Sequence, residues 1–186
     1  EGGGTLDGLE GDLWIDGGSV LKGLDTLFLN DQDTLSPQIY TVTNDYDWTV
    51  ATNDANTTDT TTITRGGDVI VRYSRQETVV LSGGEGGNTV DIQNTHREQS
   101  TDGSTSSTFT VNAGPGDDAV TLGAPVGSGG QFSMAGFQQD TDQPTFTGSS
   151  PSPRGIPVLI NSQGGEDPVH VRDDAHASPA SLAFTR

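Results

Sequence analysis

The residues best placed to do chemistry are carboxylates and amides set behind glycine turns. Four islands share this pattern. The first is Trp14-Ile15-Asp16-Gly17-Gly18, which resumes after an insertion at Gly23-Leu24-Asp25-Thr26-Leu27. The second runs from Val80 to Ile92 through Gly83-Gly84-Glu85-Gly86-Gly87-Asn88. The third runs from Thr110 to Leu122 through Ala113-Gly114-Pro115-Gly116-Asp117-Asp118. The fourth runs from Leu159 to Val171 through Ser162-Gln163-Gly164-Gly165-Glu166-Asp167. An Asp or Asn at such a turn can hydrogen-bond the backbone of its own turn. Carboxylates are so abundant in this chain that any one pair of them signifies little.

Other constellations are weaker. Arg72 and Arg75 lie near Glu77, but Val69, Val71 and Tyr73 alternate with them, which is the pattern of an amphipathic strand with arginines on its solvent face. His170 and His176 flank Asp173 and Asp174. A zinc site would need three or four convergent ligands, and His170, between Val169 and Val171, reads as an outward solvated residue. Tyr40, Tyr46 and Trp48 could form a platform for sugar, or pack at a corner. Asn56-Thr57-Thr58 is a glycosylation sequon. No nucleophile elbow or phosphate loop is present, and no catalytic residue is assigned.

These residues must be positioned by strands. Val90/Ile92, Val120/Leu122 and Val169/Val171 alternate with polar residues at period two, and no window has a period of 3.6. Each island thus reads as strand, sharp corner, strand. Further strands are expected at 39–42, 48–50, 62–64, 69–73 and 109–111. Thr52–Thr64 is threonine-rich. Ala124–Pro157, with Phe132, Met134, Phe137 and Phe146, reads as a long loop that folds back over an apolar groove. One domain spans residues 1–186.

Composition narrows the functions. The net charge is −18, and Leu, Ile, Val and Phe make up about a fifth of the residues, at the margin of disorder. So few large apolar side chains fold only if they are placed regularly. Lys and Arg total eight, which excludes a basic nucleic-acid face. No run is long and apolar enough for a membrane helix, and the absence of Cys excludes disulfides and thiolate metal sites. The chain begins at Glu1 without a signal peptide and reads as a processed product or an excerpt of something longer.

The stretch Gly83–Asp91 matches a Gly-Gly-x-Gly-x-Asp-x-aliphatic-x nonapeptide, with Asn88 for Asp. Ala113–Thr121 matches with Ala113 for the first Gly, and Ser162–His170 more loosely. The chain therefore resembles hemolysin-type, or RTX-like, repeats in large repetitive exported bacterial proteins. The resemblance implies an all-β fold, a right-handed parallel β-helix or β-roll solenoid with uneven loops and essentially no helix. It also implies Ca²⁺ between stacked turns, with Asp25, Asn88, Asp117, Asp118 and Asp167 as candidate ligands and Glu85 and Glu166 beside them. Unlike tandem RTX nonapeptides, each copy here stands alone, so a site needs copies from different coils to stack.

The first and fourth islands agree beyond the turn, Leu13–Asp16 with Val158–Asn161, which places both ends of the chain in the same phase of a long repeat. Neither end carries a capping helix, so both are expected to be open strand edges that template pairing. The expected function is a structural building block of a secreted or cell-surface fibre or stalk, stacking end to end on itself and binding neither nucleic acid nor membrane. The alternative is a Ca²⁺-dependent adhesin or glycan-binding segment. Less favoured is a polysaccharide-active β-helix enzyme, for which Lys22, the only lysine, offers little as a base.

Overall fold

A computed structural model describes residues 4–9, 11–18, 25–45, 60–95, 108–123, 158–162 and 164–171. Lys22, Tyr46, Trp48, Asn56, His96, the 124–157 segment, Asp173, Asp174 and His176 lie outside them. The described residues hold eleven strands and no helix. In chain order these are β1 (Leu13–Asp16), β2 (Thr26–Asn30), β3 (Ile39–Asn44), β4 (Thr61–Arg65), β5 (Asp68–Ser74), β6 (Thr78–Ser82), β7 (Thr89–Ile92), β8 (Thr108–Gly114), β9 (Ala119–Leu122), β10 (Val158–Ser162) and β11 (Val169–Val171).

The strands form two sheets, a four-stranded one ordered β10-β8-β6-β2 and a seven-stranded one ordered β1-β5-β4-β3-β7-β9-β11. Four units repeat: β2 to β3, β6 to β7, β8 to β9 and β10 to β11. Each unit starts in the smaller sheet, turns a glycine- or Asp-rich corner and ends in the larger one. Successive units pair in parallel in both sheets.

Period two decides which side chains meet. In the smaller sheet the inward rows are Leu27, Val79, Phe109, Val158 and Leu29, Leu81, Val111, Ile160. In the larger sheet Tyr40, Val90, Val120 and Val169 stack, as do Val42, Ile92 and Leu122. The first three units bury these side chains almost completely, and burying each is worth about 1.5–3 kcal/mol. A sparse apolar content suffices because most large aliphatic residues of these strands land in an inward row.

Two expectations fail. The segment at 62–64 does not continue the parallel stack: β4 pairs antiparallel with β3 and with β5. Its cause is local. Gly66 and Gly67 join β4 to β5, both with positive φ (63° and 99°), and a two-residue glycine loop of that kind sets a tight antiparallel hairpin. The first island is also out of phase with the others. β1 lies in the larger sheet beside β5, and β2, after its turn, lies in the smaller sheet beside β6. The true counterpart of the later turns is Asp31–Gln38. Leu13–Asp16 and Val158–Asn161 therefore sit in different sheets, and the two ends of the stack do not match.

One end is closed. Beyond β3 the larger sheet continues through β4, β5 and β1. Only Arg75, Gln76 and Glu77 connect β5 to β6 in the other sheet, so the larger sheet must bend toward it. Ile63, Val71 and Tyr73 enter the same hydrophobic cluster as the rows. Residues 4–9 run along the first turn, where Asp33 N donates to Gly4 O at 3.0 Å, much as Glu85 N donates to Thr34 O at 2.8 Å one unit later. The other end is open: among the described residues nothing pairs with the outer edges of β10 and β11. Val158 and Ile160 are half-buried there, and Val169 is 45% exposed.

Candidate functional site: the stacked turns

The corners of the four units lie in a row, joined by one recurring hydrogen bond. Gln38 N donates to Asn88 Oδ1 at 3.2 Å, Asn88 N to Asp118 Oδ1 at 2.6 Å, and Asp118 N to Asp167 Oδ1 at 3.0 Å. Each side chain thus accepts from the backbone of the preceding unit, and Asn88 and Asp118 are buried. Glycine is required for this stacking. A Cβ on Gly84 would sit 2.1 Å from Thr34 O, closer than any real contact.

At the row position the second and third turns differ in one group, the amide of Asn88 against the carboxylate of Asp118. Asn88 uses its amide nitrogen fully, its two N–H groups shared among Gly84 O, Ala113 O and Asp118 Oδ1, each 3.0 Å from Nδ2. Asp118 stands in the same register one unit later, with Oδ1 in the accepting role, so its Oδ2 takes the place of that NH₂ group. This oxygen is buried and has no hydrogen-bond partner. Burial pushes the Asp118 carboxyl above the usual range. The Asn88 hydrogen bonds oppose that shift, and the neighbouring charges of Asp167 and Asp117 add to it. Asp117 Oδ1 accepts from Glu166 N at 3.0 Å.

The row gathers three of the five candidate ligands, Asn88, Asp118 and Asp167, with Asp117 alongside. Asp25 is elsewhere, because the first island is out of phase: its N–H donates to Glu77 Oε2 at 2.8 Å at the start of the smaller sheet. Between the second and third turns the Asn88 NH₂ group fills the space a cation would need. Between the third and fourth, Asp118 Oδ2 offers a free carboxylate oxygen of the hard type Ca²⁺ takes. Among the described residues, no group of three or more His, Cys, Asp and Glu is close enough to hold a metal through those side chains alone. A cation there would need backbone carbonyls as well.

A second polar cluster was not legible in the sequence. Asp31 is fully buried. Its Oδ2 accepts from the Tyr40 hydroxyl and lies 2.7 Å from Arg65 Nε; its Oδ1 accepts from Thr34 Oγ1 at 2.5 Å and from Leu6 N at 2.9 Å. Arg65 reaches Asp7 at 2.6 Å. Burial disfavours the Arg65 charge, but its contacts with Asp7 and Asp31 outweigh this and hold the guanidinium protonated. Burial, reinforced by the Asp31 hydrogen bond and charge, raises the Tyr40 hydroxyl well above its ordinary value. A phenol so held is no base or nucleophile near neutral pH. The cluster fastens residues 4–9 to the first turn. It depends on the antiparallel pairing that sets Tyr40 opposite Arg65, which no local motif announces.

The remaining described arginines are tied up outside. Arg72 pairs with Asp12, and Arg75 Nε lies 2.6 Å from Asp16 Oδ1. His170 is exposed. Comparison with protein-family models, curated proteins and solved structures yields no match.

Proposed function

We propose that this chain is a structural segment of a secreted or cell-surface fibre or stalk, built as a right-handed parallel β-solenoid that is extended through its fourth unit. The observation that carries this reading is the open end. Among the described residues nothing pairs with the outer edges of β10 and β11, and the residues that continue the core rows, Val158, Ile160 and Val169, are incompletely covered. Strand edges of this kind template further strands, and a repeat stack gains a complete interface with each unit added. The partner is a second copy or a neighbouring repeat of the same parent chain. Sedimentation and negative-stain imaging across a concentration series test this. Wild-type chains form particles longer than one copy, and Val169→Glu, which puts a charge into the end face, prevents it. Single-copy particles at every concentration would sink the reading.

A second reading, a Ca²⁺-dependent adhesin segment, is favoured by one atom, the unpartnered Asp118 Oδ2. Asp118 Oδ2, together with backbone carbonyls of the adjacent turns, would hold the ion, which would neutralise the buried carboxylate and lock the fourth unit onto the third. Melting in chelator and in excess Ca²⁺ decides: a Ca²⁺-induced rise that Asp118→Asn removes supports it, and superimposable melts end it.

A further inference from the structure

The two sheets present very different outer faces. The larger one carries ions: Asp16 with Arg75, Arg72 with Asp12, and Asp91. The smaller one, within a chain of net charge −18, carries none at its described outward positions. Its outward residues fall into three rows that cross the strands. One row is Thr26, Thr78 and Thr108. The middle row is Phe28, Val80, Thr110 and Leu159. The third is Asn30, Ser82, Asn112 and Asn161.

The rows differ in chemistry. The middle one is an apolar ridge, with Phe28 70% and Leu159 50% exposed. The third is pre-ordered by its own hydrogen bonds, Asn161 Nδ2 to Asn112 Oδ1 at 2.8 Å and Asn112 Nδ2 to Ser82 Oγ at 3.1 Å. A ridge that stacks on C–H surfaces, flanked on either side by groups that both donate and accept, repeats along the stack with the strand spacing of ~4.8 Å.

We infer that this face binds an extended, uncharged polysaccharide lying along the ridge, with its ring faces on Phe28, Val80 and Leu159 and its hydroxyls on the threonine and asparagine rows. Charge selects the partner class. A polyanion is repelled by the molecule, and a cation finds no counter-charge on this face while carboxylates are plentiful elsewhere. Size argues against a second copy. Eleven described outward positions on four strands make a face of about 300 Å², well below the ~800 Å² per partner of a stable protein interface. A single glycan chain needs no more than this width. The inference is independent of the extension of the open end, since the face lies along the side of the stack.

The test is titration of the whole chain with cellohexaose, xylohexaose and chitohexaose, followed by calorimetry and by amide resonances, with polygalacturonate as the charged comparison. At least one neutral hexasaccharide binds with an affinity insensitive to salt and shifts Thr26, Thr78, Thr108 and Asn112. Phe28→Ser and Thr78→Asp weaken it by about tenfold or more, while Thr121→Asp on the outer face of the larger sheet does not. Phe28 is exposed, so an unchanged amide spectrum shows that its variant is folded. The inference is overturned if no hexasaccharide shifts those amides at millimolar concentration, if polygalacturonate binds equally well, or if Thr121→Asp is as damaging. It is also overturned if sedimentation shows a dimer that Phe28→Ser dissolves, which would make the face a contact between copies.

Discussion

Asn88 in the second turn and Asp118 in the third share a register, a burial and a hydrogen-bond role, and differ in one functional group. In the second, the Asn88 amide satisfies two carbonyls and the next unit's carboxylate. In the third, Asp118 places an oxygen in the equivalent position and leaves it unpartnered. The pair shows how a stack of acidic turns is kept together. Where an amide stands in the row, the protein supplies its own donor. Where a carboxylate stands there, the stack requires a proton or a cation from outside.

The largest effect is expected from Asn88→Asp, which makes the second turn like the third. It removes the three amide donor contacts and sets a second buried carboxylate against Asp118. A loss of about 3 kcal/mol in urea unfolding is expected at neutral pH without metal. A loss below ~1 kcal/mol would mean that the amide contacts matter little. The reverse change, Asp118→Asn, makes the third turn like the second. A gain of about 1–2 kcal/mol is expected, because a buried oxygen without a partner becomes a donor. Destabilisation by this variant would break the comparison.

The difference between wild type and Asp118→Asn should also depend on pH. The folded carboxyl titrates above its unfolded value. Its favourable contribution is therefore complete below the unfolded pKa of about 3.9 and is lost as pH rises through the folded value. Wild type should fall behind the variant over that interval and level off above it. Asp7 and Asp16, whose carboxyls are lowered mainly by Arg65 and Arg75 respectively, act in the opposite sense in both proteins and cancel in the difference. The smallest effect is expected from Asp117→Asn. Its side chain is exposed, so the change should stay within about 0.5 kcal/mol while lowering the pH at which Asp118 titrates.

Much of the architecture could be read directly. Alternation at Val90/Ile92 and Val120/Leu122 identified strands and their inward faces, because a period of two leaves only one face apolar. Gly-rich corners identified where the chain changes sheet. The hairpin has a local signal: Gly66-Gly67 between two alternating runs is a two-residue hairpin loop, while the threonines around it suit a parallel coil equally well. The phase of the first island has none, because Asp16-Gly17-Gly18 resembles the other corners while leading from the larger sheet to the smaller. The Asp31, Tyr40 and Arg65 cluster had no signal. Its members are far apart in sequence and meet only through the pairing of β3 with β4.

The sequence alone determined that the chain is built from strands, which residues of alternating strands such as β7 and β9 face inward, and where glycine allows turns to approach. These follow from local rules of backbone sterics and alternation. Tertiary structure decided which strands are neighbours and in what sense they pair. That choice distributes the chemistry: one end carries an antiparallel extension and the other stops at the edges of β10 and β11, and one sheet is ionic on its outer face while the described outward positions of the other carry no charge. It also decided that two turns in the same register, one with Asn88 and one with Asp118, differ in whether their buried polar atoms are satisfied. Satisfaction of a buried group depends on what the next unit brings against it, and no single turn's sequence contains that information.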